Sequence, residues 1–133
     1  MLTIIEPKWV LEETALSYHD EQIAKNGGAA GIRDIGLLQS EMLRPQNAFH
    51  YDQITSLTKL AASYMFGIAK NHPFVDGNKR TSYIVARAFL ILNGFDIKAS
   101  KEEKYLTVYG MAEGMLTEEK LAIWLENNVT KIV

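Results

Sequence analysis

The amino-acid sequence predicts a single all-α domain of about six helices that spans residues 1–133. Apolar residues recur every three to four positions over windows of a dozen or more, the spacing typical of helices. Only 3 of the 133 residues are proline, and no linker, repeat or low-complexity stretch divides the chain. With 47% hydrophobic and 23% charged residues, the composition is that of one compact soluble domain.

The first two helices are predicted from their boundary residues. The first begins near Pro7, a residue tolerated in a first turn, and ends at Gly27. The second begins after Asp34, whose carboxylate is a good N-cap, and runs toward Pro45. Because proline disfavours a helix interior, its continuation to Phe49 stays open.

The third and fourth helices are the most apolar of the predicted set. The third spans about 55–70, and the fourth spans about 78–92 with Asn78 as its N-cap. The fourth ends at Asn93 and Gly94, a common helix terminator. Its broad apolar face predicts a central place in the core.

The last two helices begin at recognisable caps. Ser100 and Glu103 have the form of a capping box, and Thr117 precedes two glutamates in the same way. Short extended pieces are expected at residues 2–5 and 95–98, too little for a sheet.

Composition and spacing exclude several classes of function. The formal charge of −2 and the isoelectric point near 5.9 give no general attraction to nucleic acid or acidic membranes. The absence of cysteine excludes disulfides, thiol catalysis and cysteine-ligated zinc. His19 and His50 lack metal-ligand spacing with His72 and are expected to be structural or exposed. Without a signal-peptide pattern or a membrane span, we expect a soluble cytoplasmic protein with neither nucleic acid nor membrane as partner.

One segment, Asn71–Arg80 with the sequence NHPFVDGNKR, departs from the pattern of a plain helical bundle. Pro73 disfavours the helical conformation at His72, so we expect the imidazole on an extended segment beyond the third helix, available as a base. Gly77 allows positive φ or the close approach of a ligand. The helix start that follows, at Asn78, is a ready anion site.

The charged residues of this segment indicate a nucleotide phosphate as the anion. Lys79 and Arg80 fall in the first turn, where the helix dipole opposes each cation by about 0.3–1 kcal/mol, and a bound anion would compensate them. Asp76 would share Mg²⁺ with a nucleotide. Each residue alone has an ordinary structural explanation, but together they favour a site at which a hydroxyl attacks a nucleotide phosphate and His72 takes its proton.

The motif HPFVDGNKR resembles the signature HxFx(D/E)GNxR of the Fic/Doc family, whose members transfer phosphate-containing groups onto protein hydroxyls. Further pieces of the chain look like the death-on-curing (Doc) branch in matching order, and so the resemblance covers nearly the entire chain. These pieces are His19–Asp20, Asn26–Asp34, Arg44–Gln46, Phe89–Leu90, Asn93–Gly94 and Glu113–Gly114. The resemblance implies the helical Fic/Doc fold.

The branch of the family bears on the reaction. In Fic enzymes that transfer AMP, the position of Lys79 is glycine and a second arginine stands where this chain has Tyr83. Doc-type toxins carry a lysine at the first position, bind ATP in the opposite sense and transfer its γ-phosphate. The resemblance therefore implies an ATP-dependent protein kinase. Gly77 is the Fic form and keeps protein adenylylation as an alternative, and a non-catalytic nucleotide- or protein-binding module is a third interpretation.

The resemblance also implies roles and partners. His72 would be the base for the target hydroxyl, and Asp76 would hold Mg²⁺. The groups that hold the phosphates of ATP would be Gly77, Asn78, Lys79 and Arg80. Doc toxins act on a threonine of elongation factor Tu and arrest translation, so the resemblance implies that target. It also implies a small antitoxin protein that inhibits in trans by docking in an apolar groove.

Overall fold

The structure, a computed structural model, describes residues 5–132 and confirms the all-α fold class. Six helices and one small two-stranded sheet account for its regular structure within these residues. In chain order the elements are α1 (Glu12–Asn26), α2 (Ile35–Asp52), α3 (Leu57–Asn71), α4 (Asn78–Leu92), β1 (Phe95–Ile97), α5 (Lys101–Ala112), α6 (Glu118–Asn128) and β2 (Val129–Lys131). Of the extended piece expected at 2–5, all but Ile5 lies outside the described residues, and Ile5 is not in a strand.

Helix α3 occupies the centre of the core. Most of its residues are buried, and it packs against α2, α4, α5 and α6. Leu60, Tyr64 and Met65 are fully buried there, and burying a large apolar side chain contributes about 1.5–3 kcal/mol. Burial also raises the pKa of Tyr64 to about 12. None of the described helices combines the length and apolar character that crossing a membrane requires.

The predicted start of the first helix near Pro7 is wrong, because α1 begins at Glu12. The preceding segment instead has no regular secondary structure and packs on the core through Trp9 and Val10. Trp9 stacks on Phe89 with ring centroids 5.6 Å apart, and the Val10 N–H donates to the hydroxyl of Tyr64 at 3.1 Å. These long-range contacts outweigh the local preference of proline for a first helical turn.

Helix α2 begins after Asp34 as predicted, and it continues through Pro45 to Asp52. The Asp34 carboxylate accepts from the Leu37 N–H at 3.0 Å. Pro45 is buried, and the next turn of the helix carries Phe49, which packs edge-on against Trp9 at 5.8 Å. Tertiary packing therefore sustains the helix beyond the proline.

The expectation that the extended piece near residue 95 would form no sheet is wrong. Strand β1 pairs antiparallel with β2, with Phe95 opposite Lys131 and Ile97 opposite Val129. Arg87 on α4 binds Asp96 of β1 through two bonds of 2.8 and 3.0 Å, which ties this sheet to the helical core. The partner strand is three residues long and distant in sequence, so no local pattern announces it.

Candidate active site

His72 follows directly after α3 and adopts a left-handed conformation, with φ 51° and ψ 61°. The expectation that it would be extended is wrong, although His72 does avoid the right-handed helical region that Pro73 disfavours. The His72 N–H closes the helix by donating to the Ile68 carbonyl at 3.2 Å. A left-handed conformation costs an L-residue about 1–2 kcal/mol, so the surrounding contacts must hold it.

The loop from residue 73 to 77 is pinned by the side chain of Asn78. Its Oδ1 accepts from the Phe74 N–H at 2.9 Å, and its Nδ2 donates to the Phe74 carbonyl at 3.0 Å. The prediction that Asn78 is the N-cap of α4 is therefore wrong. Gly77 is the N-cap, with φ 76°. Because its amide is committed to the loop, Asn78 has only its main-chain N–H to offer a ligand.

Helix α1 holds the same loop from the other side. His19 Nε2 donates to the Asp76 carbonyl at 2.7 Å, and its ring stacks on Phe74 with centroids 3.9 Å apart. Gln22 donates to the Gly77 carbonyl at 3.4 Å. A Cβ at Gly77 would lie 1.8 Å from the Gln22 Nε2. Glycine at position 77 therefore has two reasons: the positive φ and the close approach of the Gln22 side chain.

The Asp76 carboxylate is exposed and oriented by two main-chain N–H groups. Gly77 donates to Oδ1 at 2.8 Å and Ala29 donates to Oδ2 at 3.2 Å. These two bonds hold the pKa of Asp76 below its usual value of 3.8, and the bond from Gly77 has the larger effect. A Cβ at Gly28 would lie 2.7 Å from Oδ2, so glycine at this position lets the loop that carries Ala29 approach the Asp76 carboxylate.

A single ionised carboxylate of this kind fits Mg²⁺ shared with a nucleotide. Mg²⁺ bound that way takes one or two carboxylates, and phosphate oxygens and water complete its shell. Among the described residues no three His, Asp or Glu side chains cluster as a closed metal site. Asp76 therefore suits a metal that arrives with its nucleotide.

The start of α4 has no side-chain cap. The first intrahelical bond runs from the Thr81 N–H to the Gly77 carbonyl at 3.0 Å, which leaves the N–H groups of residues 78–80 for a ligand. The exposed Lys79 ammonium lies 4.0 Å from a carboxylate oxygen of Glu113 and 5.5 Å from the Tyr109 ring centroid.

All six residues that the sequence nominates line one polar cavity of about 480 Å³. They are His72, Asp76, Gly77, Asn78, Lys79 and Arg80. A second cavity of about 440 Å³, here called the apolar cleft, lies between α4 and α5 and shares Lys79 and Arg80 with the first. Its other lining residues are Tyr83, Ile84, Lys104, Tyr105, Val108 and Tyr109.

Sequence reasoning missed the residues that hold the site from a distance. His19 and Gln22 bind the loop carbonyls, and Arg33 donates to the carbonyls of Asn71 and His72. The only sequence signal for them is that His19 and Arg33 fall within the pieces that resemble the Doc branch. Neither residue has a local pattern that names its partner.

Glu41 on α2 supports the end of α3 from inside the core. Its Oε1 accepts from the Asn71 Nδ2 at 2.8 Å, while its Oε2 is buried without a hydrogen-bond partner in the part of the chain described. Burial raises the pKa of Glu41 above its usual value, and the bond from Asn71 and the charge of Arg44 oppose that shift. A Cβ at Gly67 would lie 1.7 Å from Oε2, so glycine is needed to admit the carboxylate.

Comparison with known proteins agrees with this geometry. The sequence model of the Fic/DOC family matches residues 9–90, which include the segment from His72 to Arg80. The chain belongs to the Fic/Doc family.

Two curated relatives are similar over long stretches. Protein kinase doc of Escherichia phage P1 is 36% identical over 110 residues, covering 83% of this chain and 86% of the relative. Toxin Doc of Mycolicibacterium smegmatis is 40% identical over 74 residues, covering 55% of this chain and 57% of that toxin.

Proposed function

We propose that this protein is a Doc-type toxin that transfers the γ-phosphate of ATP to a hydroxyl of a target protein. The observation that carries the proposal is the convergence of His72, Asp76 and the uncapped start of α4 on one polar cavity. This convergence supplies a base, a carboxylate for a hard cation and donors for phosphate oxygens. The names of the two relatives, a protein kinase and a toxin, support it.

The chain's own residues bring the reactants together. Lys79, Arg80 and the free N–H groups at the start of α4 bind the phosphate oxygens and offset their negative charge. His72 accepts the proton of the attacking hydroxyl. The hydroxyl oxygen bonds to the γ-phosphorus while the bond from that phosphorus to the β,γ-bridging oxygen breaks, and ADP leaves. Mg²⁺ held at Asp76 would supply further charge neutralisation on the phosphates.

Two residues favour phosphate transfer over AMP transfer. Lys79 matches the Doc form of the motif, and Tyr83 stands where AMP-transferring relatives have a second arginine. The Tyr83 hydroxyl is buried without a hydrogen-bond partner in the described residues and supplies no cation. Protein adenylylation is the second candidate, because Gly77 has the Fic form of the motif.

The target we propose is elongation factor Tu, modified in the cytoplasm with arrest of translation. We also propose that a small antitoxin docks in the apolar cleft. Lys79, Arg80 and Lys104 border this cleft, and Tyr105 is 66% exposed beside it, so an acidic segment with apolar anchors is complementary to it. Such an occupant would cover Lys79 and Arg80 and so block the polar cavity.

The decisive experiment incubates the pure protein with Mg²⁺, elongation factor Tu and ATP labelled at either the α- or the γ-phosphate. We expect label on the target from γ only, reduced to a small residual rate in His72→Ala and kept in His50→Ala. His50 is a matched control because it lies outside the polar cavity, 3.4 Å from Glu6. Label from α would replace the kinase with an adenylyltransferase. Binding of ATP without transfer, either to elongation factor Tu or to any protein of a bacterial lysate, would leave a non-catalytic module.

Antitoxin docking is tested by growth. Expression of the chain should arrest cells, and co-expression of the proposed small antitoxin should restore growth. Tyr105→Ser should weaken that rescue without reducing transfer, whereas Tyr51→Ser should not, since Tyr51 is 81% exposed on α2, outside the cleft. Full rescue of Tyr105→Ser would exclude the cleft as the docking site.

A further inference from the structure

Arg33 reaches across from the loop before α2 to the end of α3. Its Nε donates to the His72 carbonyl at 2.6 Å, and its Nη2 donates to the Asn71 carbonyl at 2.7 Å. These carbonyls belong to the final helical residue and its C-cap, where no further turn supplies N–H donors. A cation also interacts favourably with the negative end of the helix dipole.

The same segment is fastened to the chain on the far side of His72. The N–H groups of Arg33 and Asp34 both donate to the Pro73 carbonyl, at 2.7 and 3.0 Å, and the Val75 N–H donates to Gly31 at 3.1 Å. Ile32 and Phe74 form an antiparallel bridge within this short ladder. The main chain of the segment therefore holds residues 73–75, while the Arg33 side chain holds residues 71 and 72.

These contacts from residues 31–34 surround a residue whose backbone is strained, His72. His72 is one of only two non-glycine residues with positive φ in the described chain. Its φ and ψ decide where the Cβ and hence the imidazole point, and a relaxed backbone would aim the ring elsewhere. The rigid fork of a guanidinium, with two charge-assisted bonds to consecutive carbonyls, is suited to holding such a turn.

We propose that Arg33 is a positioning residue, which sets the direction of the His72 imidazole by fixing the left-handed turn at the end of α3. The inference rests on the proposed function, because it takes His72 as the base. Arg33 also lines the polar cavity, so direct binding of phosphate is the competing role. The commitment of Nε and Nη2 to main-chain carbonyls favours positioning.

Kinetics separate the two roles. Arg33→Gln should lower kcat by about 10- to 100-fold, the effect of misplacing a reacting group, and leave the KM for ATP within about twofold. Arg33→Lys, which keeps the charge but has one donor nitrogen in place of two, should recover part of kcat. In the His72→Ala background Arg33→Gln should cause no further loss, because the two residues act as a unit. Arg87→Gln is the matched control, since that arginine binds Asp96 outside the polar cavity and should leave kcat unchanged.

A higher KM for ATP at unchanged kcat would assign Arg33 to phosphate binding and overturn the proposal. So would an additive loss in the double variant or an unchanged kcat in Arg33→Gln. Thermal unfolding of each variant identifies any that does not fold, and in that case Arg33→Lys carries the comparison.

A readout independent of turnover distinguishes failure of this inference from failure of the proposed function. The chain has 3 histidines, so its imidazole carbon-bound proton signals are few, and the His72→Ala spectrum assigns that of His72. Arg33→Gln should shift or broaden the His72 signal, and Arg87→Gln should not. If the His72 signal shifts in a protein that transfers no phosphate, the proposed kinase activity is refuted, but the dependence of the His72 turn on Arg33 is retained. An unshifted signal in an active protein refutes the positioning role.

Discussion

The starts of α4 and α5 are built in opposite ways. At α5, the Ser100 hydroxyl accepts from the Glu103 N–H at 3.1 Å, and the first turn carries two glutamates that the helix dipole favours. At α4, Gly77 offers no side chain, and the first turn carries Lys79 and Arg80 with no acidic residue. The first start is satisfied internally, whereas the second leaves donors and positive charge for a ligand.

The other helix starts show that this difference belongs to the site. At α6, Thr117 accepts from the Lys120 N–H at 3.1 Å and two glutamates follow. At α3, Ser56 caps the helix and the first turn carries one cation, Lys59. Cations in a first turn thus occur elsewhere, but there a cap accompanies them. Only α4 among these four lacks both cap and acid, and α4 borders the polar cavity.

The largest expected effect follows from removing the positive charge at the start of α4. The double variant Lys79→Gln/Arg80→Gln should weaken binding of Mg²⁺–ATP by about tenfold or more per cation, because each loses a charge-assisted bond to phosphate. Calorimetric titration measures it. The same variant should stabilise the unliganded fold by about 0.3–1 kcal/mol per charge in urea unfolding, because the helix dipole no longer opposes them. Unchanged ATP affinity would show that the uncapped start binds no phosphate.

Asp76→Asn tests the carboxylate beside that start. In the native protein Mg²⁺ should strengthen ATP binding, and in Asp76→Asn this gain should be lost while metal-free ATP binds as before. Titrations with and without Mg²⁺ give the comparison, and equal gains in both proteins would remove Asp76 from the metal site.

The lowered pKa of Asp76 adds a dependence on pH. The pKa of Asp76 is lower in the folded than in the unfolded state, so the ionised carboxylate stabilises the fold at pH values above its usual pKa of 3.8. This stability is lost as pH falls through the lower folded-state pKa. The free energies of unfolding of the native protein and Asp76→Asn, measured as a function of pH, should therefore converge at the acidic end. Parallel curves would contradict the role of the two N–H donors.

The features of the fold that the sequence predicts well are those encoded within a few residues. Asp34, Ser100 and Thr117 are caps in the structure because each needs only an N–H three positions ahead. The start of α1 was misplaced because Trp9 and Val10 are held by partners on α3 and α4, which no local pattern reveals.

The candidate site divides in the same way. The groups nominated as base, metal ligand and phosphate cations lie within nine positions, His72 to Arg80, and a motif places them together. The residues whose side chains bond to the main chain of this segment are distant in sequence: Arg33 is 39 positions from His72, and His19 is 57 positions from Asp76. The conformation of His72 is not predicted correctly either, because Pro73 only disfavours one region of φ and ψ and distant contacts choose between the others.

Ser100→Ala carries the comparison to the capped start of α5. Loss of the bond to the Glu103 N–H should destabilise the fold by about 1 kcal/mol, the usual cost of removing a serine cap. Affinity for Mg²⁺–ATP should stay the same, because α5 starts outside the polar cavity. Urea unfolding and calorimetry on one preparation measure both quantities. A loss of ATP affinity would mean that the two helix starts are coupled.

The smallest effect is expected from Lys59→Gln, which removes a first-turn cation from the capped start of α3. Relief from the helix dipole should stabilise the fold by about 0.3–1 kcal/mol, the same gain per charge as at α4. Lys59 lies outside the polar cavity, so the affinity for Mg²⁺–ATP should not change. If Lys59→Gln weakened ATP binding as Lys79→Gln/Arg80→Gln does, the overall charge of the chain would govern ATP binding. An effect confined to α4 would instead locate the binding at its uncapped start.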